Sequence, residues 1–256
     1  MDLPTVMTYF QLLQAAAALT LAWRLLHFRL HREMRWMLAV QLWTAAYSIG
    51  AANISFPREV YKYFYLGVIP PLCIMSILAV RELFSLVFER YPGISTALRW
   101  AMYLSVGLSL VASLLLTGYL GYLPATGHLI FYTVTAERAI SFSLALFILC
   151  ILYFLSKYPL QLPRNFSVSA ALFCVIFLTD TITLALAMFP KTFERGLLDL
   201  LQTGVVSVSL AIWAYRLQPG EDSCRPDPPK VSRHEETILL EQLQSFNRLL
   251  DKAVHR

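Results

Sequence analysis

The sequence predicts an all-α protein that crosses a lipid bilayer with seven helices. Three observations support this fold class: 57% of the 256 residues are hydrophobic, only 14% are charged, and the apolar residues occur in long uninterrupted blocks. A helix rises about 1.5 Å per residue, so roughly twenty apolar residues cross the hydrocarbon of a bilayer. Such a composition leaves too little polar surface for a water-soluble globule of this length.

Apolar runs between polar breaks predict the helices one by one. The first run follows Asp2 and lacks a basic leader and a cleavage site, so it is expected to stay in the mature protein rather than to be removed as a signal peptide. The third run carries Pro70 and Pro71 near its middle, which favour a kink, and Pro92 stops it. The expected helices lie at about 5 to 27, 35 to 54, 60 to 88, 97 to 119, 128 to 156, 165 to 189 and 196 to 216.

Basic residues set the expected orientation, because Lys and Arg near spanning segments are retained in the cytoplasm. One side of the predicted bundle carries most of these residues, so that side is predicted to be cytoplasmic and the N-terminus to lie outside. The opposite side carries only Arg58, Lys62, Lys191 and Arg195.

The chain changes character after the predicted transmembrane domain of residues 1–216. Residues 217–231 form a linker rich in Pro and charge. Residues 232–256 are predicted to form a cytoplasmic amphipathic helix, because Ser232 and Glu235 match a capping box and apolar side chains repeat on one face. This helix is expected to dock onto the bundle, to contact a cytoplasmic protein partner or to self-associate. Its apolar face consists of Leu239, Leu243, Phe246 and Leu250.

Ionisable residues within the predicted spans mark the candidate binding site, since a charge at mid-membrane costs roughly 2.5 to 3.5 kcal/mol on insertion scales. Arg138, Asp180 and Asp199 lie at nearly the same height, roughly 24 to 29 Å above the cytoplasmic surface. This common height predicts an outward-facing polar vestibule. The candidate ligand-binding residues at this level are Arg138, Glu137, Asp180, Asp199, Gln202, Tyr65 and Asn53.

Two interpretations of this polar level stay open. In the first, the Arg138 guanidinium binds an anionic or carbonyl ligand that Asp180 and Asp199 orient. In the second, Arg138 pairs with Asp180 or Asp199, so that buried charges cancel between neighbouring helices. The two interpretations are compatible, because a paired charge can line a pocket.

The basic stretch at the end of the first helix is expected to contact lipid head groups and to act as a topology signal. No nucleic-acid partner is expected despite the net charge of +5, because the basic residues are scattered over short loops. No metal site or cofactor is predicted, since the histidines lack carboxylate or cysteine partners at ligand spacing. The predicted head-group contacts are Arg24, Arg29, Arg32 and Arg35.

Four short motifs carry a resemblance to known proteins: Leu30-His31-Arg32, Arg81-Glu82-Leu83-Phe84 leading to Tyr91-Pro92, Glu137-Arg138, and Trp213-Ala214-Tyr215. Through these motifs the chain resembles a family of uncharacterised bacterial seven-helix membrane proteins. The resemblance implies the bacterial inner membrane and no catalytic residue.

The leading functional hypothesis is a sensor-like or receptor-like membrane module, because an outer polar vestibule is combined with a cytoplasmic helix. The alternative is a transporter or a membrane scaffold subunit, although inverted repeats are not visible. A third hypothesis is an intramembrane enzyme that acts on lipid with Glu137, Asp180 or Asp199 as acid and base. No catalytic residue is assigned, since no nucleophile, metal set or phosphate cradle accompanies these carboxylates.

Overall fold

The computed structural model describes residues 3–32, 34–53, 58–88, 92–119, 128–157, 164–186, 195–217, 240–242, 244–245 and 247–248. These ranges contain helix and no strand, which confirms the all-α fold class. A short 3-10 helix covers Leu30–Arg32, and the long helices are α1 (Leu3–His27), α2 (Arg35–Asn53), α3 (Arg58–Val87), α4 (Pro92–Tyr119), α5 (His128–Lys157), α6 (Arg164–Leu186) and α7 (Arg195–Arg216).

Six of the described helices, α1 and α3 to α7, are long and apolar enough to cross a membrane. Their outer surfaces carry large apolar side chains, such as Leu104 (69% exposed) and Leu129 (65% exposed). Apolar faces that point outward on every side need a hydrocarbon solvent, because water disfavours large exposed apolar patches. The chain is therefore a multi-pass membrane protein. Helix α2 is less apolar, since Gln41 and Asn53 interrupt its 19 residues.

Side-chain contacts show the relative direction of α2 and α3. The backbone N–H of Trp36, at the start of α2, donates to Glu82 near the end of α3 at 2.7 Å. Further along α2, Tyr47 stacks on Phe64 near the start of α3. Helices α2 and α3 are therefore antiparallel.

Helices α1 and α7 run side by side in the same direction. Near their starts, the Phe10 ring lies 3.4 Å from the position that a Cβ on Gly204 would occupy. Near their ends, the Arg24 guanidinium donates to the carbonyl oxygen of Ala214. We call the end of the bundle at which α1, α3, α5 and α7 begin the N-terminal end, and the opposite end the C-terminal end.

Six helices close into a ring in the order α1, α2, α3, α5, α6 and α7, and α7 packs against α1. Helix α4 stands outside this ring, where it packs mainly against α5 and touches α3 only lightly. Two hydrogen bonds join α4 to α5, since Ser143 donates to Ser105 at 3.1 Å and Ser109 donates to the carbonyl of Ala139 at 2.9 Å. The interior of the ring is thus lined by six helices, and α4 faces outward.

The half of the ring toward the C-terminal end is filled by aromatic side chains. Phe84 of α3 makes edge-on contacts with Phe147 and Phe166, at centroid distances of 5.2 and 5.6 Å. Trp213 of α7 packs edge-on against Phe173 at 4.9 Å. Edge-on aromatic pairs of this kind add to the energy of burial. We call this group the aromatic core, which comprises Phe84, Phe147, Phe166, Phe173, Phe177 and Trp213.

Helix α3 includes Pro70 and Pro71, as the predicted range of 60 to 88 implies. The start of α4 differs from the predicted one. Helix α4 begins at Pro92 rather than near residue 97, because proline suits the first turn of a helix, where its missing N–H has no partner to lose. The predicted C-terminal helix lies mostly outside the described residues, including Ser232, Glu235 and its apolar face; the described residues 240–242, 244–245 and 247–248 are helical.

Candidate functional site

Glu137 and Arg138 are neighbours on α5 but contact different helices, since successive helical residues point about 100° apart. The Glu137 carboxylate accepts a hydrogen bond from the Tyr65 hydroxyl of α3, with an O–O distance of 2.5 Å. The Arg138 guanidinium donates to the hydroxyl of Ser113 on α4 at 3.3 Å. Glu137 is thus directed toward the neighbouring helix α3 of the ring, and Arg138 toward α4, which stands outside the ring.

Asp180 of α6 is held by α7. The Gln202 side-chain amide donates to the Asp180 carboxylate at 2.8 Å. The Thr183 hydroxyl lies 3.2 Å from the Gln202 carbonyl oxygen, which fixes the amide with its NH2 group toward the carboxylate. Thr183 itself is buried, with 3% of its surface exposed. This three-residue network orients the Asp180 carboxylate.

The two carboxylates belong to one group of interior side chains. Glu137 of α5, Asp180 of α6 and the Cys73 thiol of α3 lie within electrostatic range of one another. The donors to these carboxylates, Tyr65 and Gln202, carry no charge. We call this group the interior polar cluster, which comprises Tyr65, Cys73, Glu137, Asp180, Thr183 and Gln202.

The cluster has an acidic character. Like charges repel more strongly inside a bundle than in water, because the dielectric constant of the interior is lower. A positively charged group placed between the two carboxylates would offset this repulsion and, if it carried N–H groups, would donate hydrogen bonds to the carboxylate oxygens. The geometry therefore suits a cationic ligand.

Further polar groups lie near this end of the ring. Ser48 of α2 and Thr135 of α5 are buried, and within the described part of the chain their hydroxyls make no hydrogen bond. Ser48 follows Tyr47, which stacks on Phe64, the residue before Tyr65. Buried hydroxyls usually have partners, so these two leave hydrogen-bonding capacity unused.

The predicted ligand-binding residues are thus divided among several places. The structure brings together Glu137, Asp180, Gln202 and Tyr65. Asp199 lies on an exposed part of α7, and Arg138 contacts α4. The side chain of Asn53 lies outside the described part. Within the described residues, no three His, Cys, Asp or Glu side chains are grouped closely enough to hold a metal ion.

Sequence reasoning missed two members of the cluster, Cys73 and Thr183. Thr183 carries a signal, because it lies three residues after Asp180 and so shares its helical face. Cys73 carries none, since a cysteine in an apolar run is ordinarily a small hydrophobic side chain.

The predicted head-group contacts lie at the C-terminal end of the bundle. Arg29 and Arg35 are exposed, whereas Arg24 is half-buried and lies over the Phe28 ring, 5.1 Å from its centroid. Arg24 also donates a hydrogen bond to the carbonyl oxygen of Ala214 near the end of α7, so it joins two helices as well. The side chain of Arg32 lies outside the described part.

The chain matches no protein-family model, no curated protein and no solved structure. The resemblance to bacterial seven-helix membrane proteins stays a prediction, and function is argued from the site alone.

Proposed function

We propose that this protein is a sensor-like or receptor-like module of the bacterial inner membrane, with seven crossings, an outer N-terminus and a cytoplasmic C-terminus. Support for a seventh crossing comes from α2, which packs between α1 and α3 as a full member of the ring. Support for opposite locations of the two termini comes from the parallel course of α1 and α7. The exposed Arg29, Arg35 and Arg216 at the C-terminal end favour that end as the cytoplasmic one.

The proposed ligand is a small cation that carries an ammonium group. The observation that carries this proposal is that Glu137 and Asp180 lie on neighbouring helices and accept hydrogen bonds from the neutral donors Tyr65 and Gln202. Charged residues inside membrane proteins commonly mark ligand and ion sites. The acidic cluster favours a cation over the anionic ligand expected from Arg138, because Arg138 contacts α4.

The aromatic core favours a sensor over a transporter. Gln202 and Trp213 lie on the same helix, about 16 Å apart along its axis, and Trp213 is 0% exposed. The buried rings of the aromatic core therefore occupy the ring interior below the interior polar cluster. In this conformation the aromatic core blocks the path of a ligand that enters from the N-terminal end. The predicted helix at 232–256 is the proposed output, through contact with a cytoplasmic partner.

Uptake measurements separate the two functions. In proteoliposomes that contain the full chain, radiolabelled n-butylammonium is expected to bind without accumulating in the lumen, since the aromatic core blocks passage. Filtration with and without a permeabilising detergent distinguishes bound from enclosed label. Time-dependent, detergent-releasable accumulation above that of protein-free vesicles would favour a transporter and contradict the sensor proposal.

The proposed orientation predicts the behaviour of reporters fused to the C-terminus. A fluorescent protein fused after Arg256 is expected to fluoresce, and alkaline phosphatase fused there is expected to be inactive, because the first matures in the cytoplasm and the second only in the oxidising periplasm. Phosphatase fused after residue 124, in the connection between α4 and α5, is the matched control and is expected to be active. The reverse pattern would invert the topology.

A further inference from the structure

A groove lies between α3 and α4, on the outside of the ring and toward the C-terminal end. It arises because α4 packs mainly against α5 and touches α3 only lightly. The floor consists of buried apolar side chains, among them Phe88 and Met102, each 1% exposed. A tightly packed floor of this kind is a fixed apolar surface.

Two arginines stand at the rim of this groove. Arg81 of α3 and Arg99 of α4 both line it and are both exposed. The Arg81 guanidinium donates to the Tyr103 hydroxyl of α4 at 3.2 Å, which holds it across the boundary between the two helices. Glu82, the acidic neighbour of Arg81, is turned toward α2, where it accepts from the Trp36 N–H. Among the described residues that line the groove, the charged ones are therefore basic.

The arginines lie at a depth suited to a head group. Arg81 is close to the end of the apolar span Lys62–Ser85, and Arg99 is close to the start of the span Thr96–Leu115. Both are thus near the same boundary between hydrocarbon and water, where lipid phosphates are found. Arginine also matches phosphate geometry, since its planar guanidinium can donate two parallel hydrogen bonds.

The size of the groove favours a ligand that is only partly enclosed. Its enclosed volume is about 10 Å³, which is about the space needed for one water molecule, so a ligand lies on the groove rather than within it. The surface beside the groove is apolar, because Trp100 and Leu104 of α4 are 68% and 69% exposed. A molecule with a charged head at the rim and a hydrocarbon chain along this surface fits these features together.

We propose that this groove is a binding site for an anionic phospholipid. The lipid phosphate lies between the guanidinium groups of Arg81 and Arg99, and an acyl chain lies along the exposed apolar side chains Trp100 and Leu104 of α4. This site is separate from the interior polar cluster, since the groove opens to the outside of the ring. It depends on the membrane environment and does not depend on the proposed ammonium ligand.

Native mass spectrometry of the full chain in detergent micelles tests this proposal. Phosphatidylglycerol is expected to bind in preference to phosphatidylcholine with the same acyl chains. Arg81→Gln and Arg99→Gln are each expected to weaken phosphatidylglycerol binding about fivefold, and the double variant about 25-fold, because a basic residue near a charged lipid surface contributes on the order of 1 kcal/mol. Arg216→Gln is the matched control, because Arg216 is an exposed arginine at the same end of the bundle but on α7. This variant is expected to bind phosphatidylglycerol as the wild type does.

Two further arms complete the test. Ser85→Trp, which fills the groove from its rim, is expected to weaken phosphatidylglycerol binding while both arginines remain, so the proposal does not depend on a variant that folds poorly. Inorganic phosphate at equal concentration is expected not to displace the lipid, because it lacks the acyl chain. Displacement by phosphate would mean a site for a free anion and would overturn the proposal. So would unchanged binding in the double arginine variant, or an equal loss in Arg216→Gln.

Discussion

Replacing Trp213 by alanine is expected to lower the free energy of unfolding of the bundle by about 3 kcal/mol. Trp213 is 0% exposed and packs edge-on against Phe173, with ring centroids 4.9 Å apart. Alanine leaves a cavity that the neighbouring rings fill only in part, because their own contacts hold them in place. Inside a membrane this loss is mainly one of packing contacts, since lipid chains are as apolar as the protein core.

Denaturant titration in detergent micelles, followed by circular dichroism, measures this effect. Trp100→Ala is the matched control, because Trp100 is 68% exposed on α4 and its removal is expected to change stability by less than about 0.5 kcal/mol. Trp213→Phe is expected to cost only about 1 to 2 kcal/mol. Phenylalanine fills much of the same space, and within the described residues the indole N–H that is removed donates to no acceptor. Equal effects of the two alanine variants would show that the aromatic core does not hold the bundle together.

The sequence predicts the helices well because each one is governed by a local requirement. A block of apolar residues must be long enough to cross hydrocarbon, and its backbone must satisfy its own hydrogen bonds. Pro92 shows where such reasoning is incomplete: the sequence predicts that it ends the third helix and that the fourth begins near residue 97, whereas in the structure α4 begins at Pro92 itself. Proline breaks a helix when it lies in the helix interior, but it favours the start of a helix when it lies at the first position.

The sequence predicts the height of the candidate site residues along their helices but not the direction in which each side chain points. Counting residues along each helix places Glu137, Asp180 and Gln202 at one level, and the structure joins Asp180 to Gln202 directly. The direction of each side chain depends on which helices stand beside its own. Helix α4 stands outside the ring, and no local pattern indicates this, because all faces of a membrane helix are apolar. The contact of Arg138 with Ser113 therefore appears only in the packed bundle.

The acidic character of the site also depends on packing. In the sequence, Glu137 and Arg138 are adjacent and of opposite charge, so the pair looks neutral. Their rotation about α5 separates them, with the acidic side chain bonded to Tyr65 and the basic one to Ser113. The net charge of a site inside a membrane protein must therefore be counted separately for each face of each helix.

Neutralising the two interior carboxylates is expected to abolish the stabilisation of this protein by small ammonium compounds. In the wild type, n-butylammonium is expected to raise the unfolding temperature, whereas n-butanol, of similar shape but without charge, is not. Glu137→Gln and Asp180→Asn keep side-chain oxygens that accept from Tyr65 and Gln202, so they remove charge while preserving shape. Loss of a charge-assisted hydrogen bond costs roughly 1.5 to 3 kcal/mol, which corresponds to binding about 10- to 150-fold weaker.

Stability without ligand separates this result from misfolding. Both variants are expected to be more stable than the wild type in the absence of amine, because they remove first the cost of burying a carboxylate charge and second the repulsion between Glu137 and Asp180. A protein that folds more stably and binds more weakly cannot have lost binding through damage to its fold. Asp199→Asn, on an exposed part of α7, is the matched control and is expected to keep full binding. If Asp199→Asn weakened n-butylammonium binding as much as Asp180→Asn, the cation site would have to lie on the exposed part of α7 rather than within the ring.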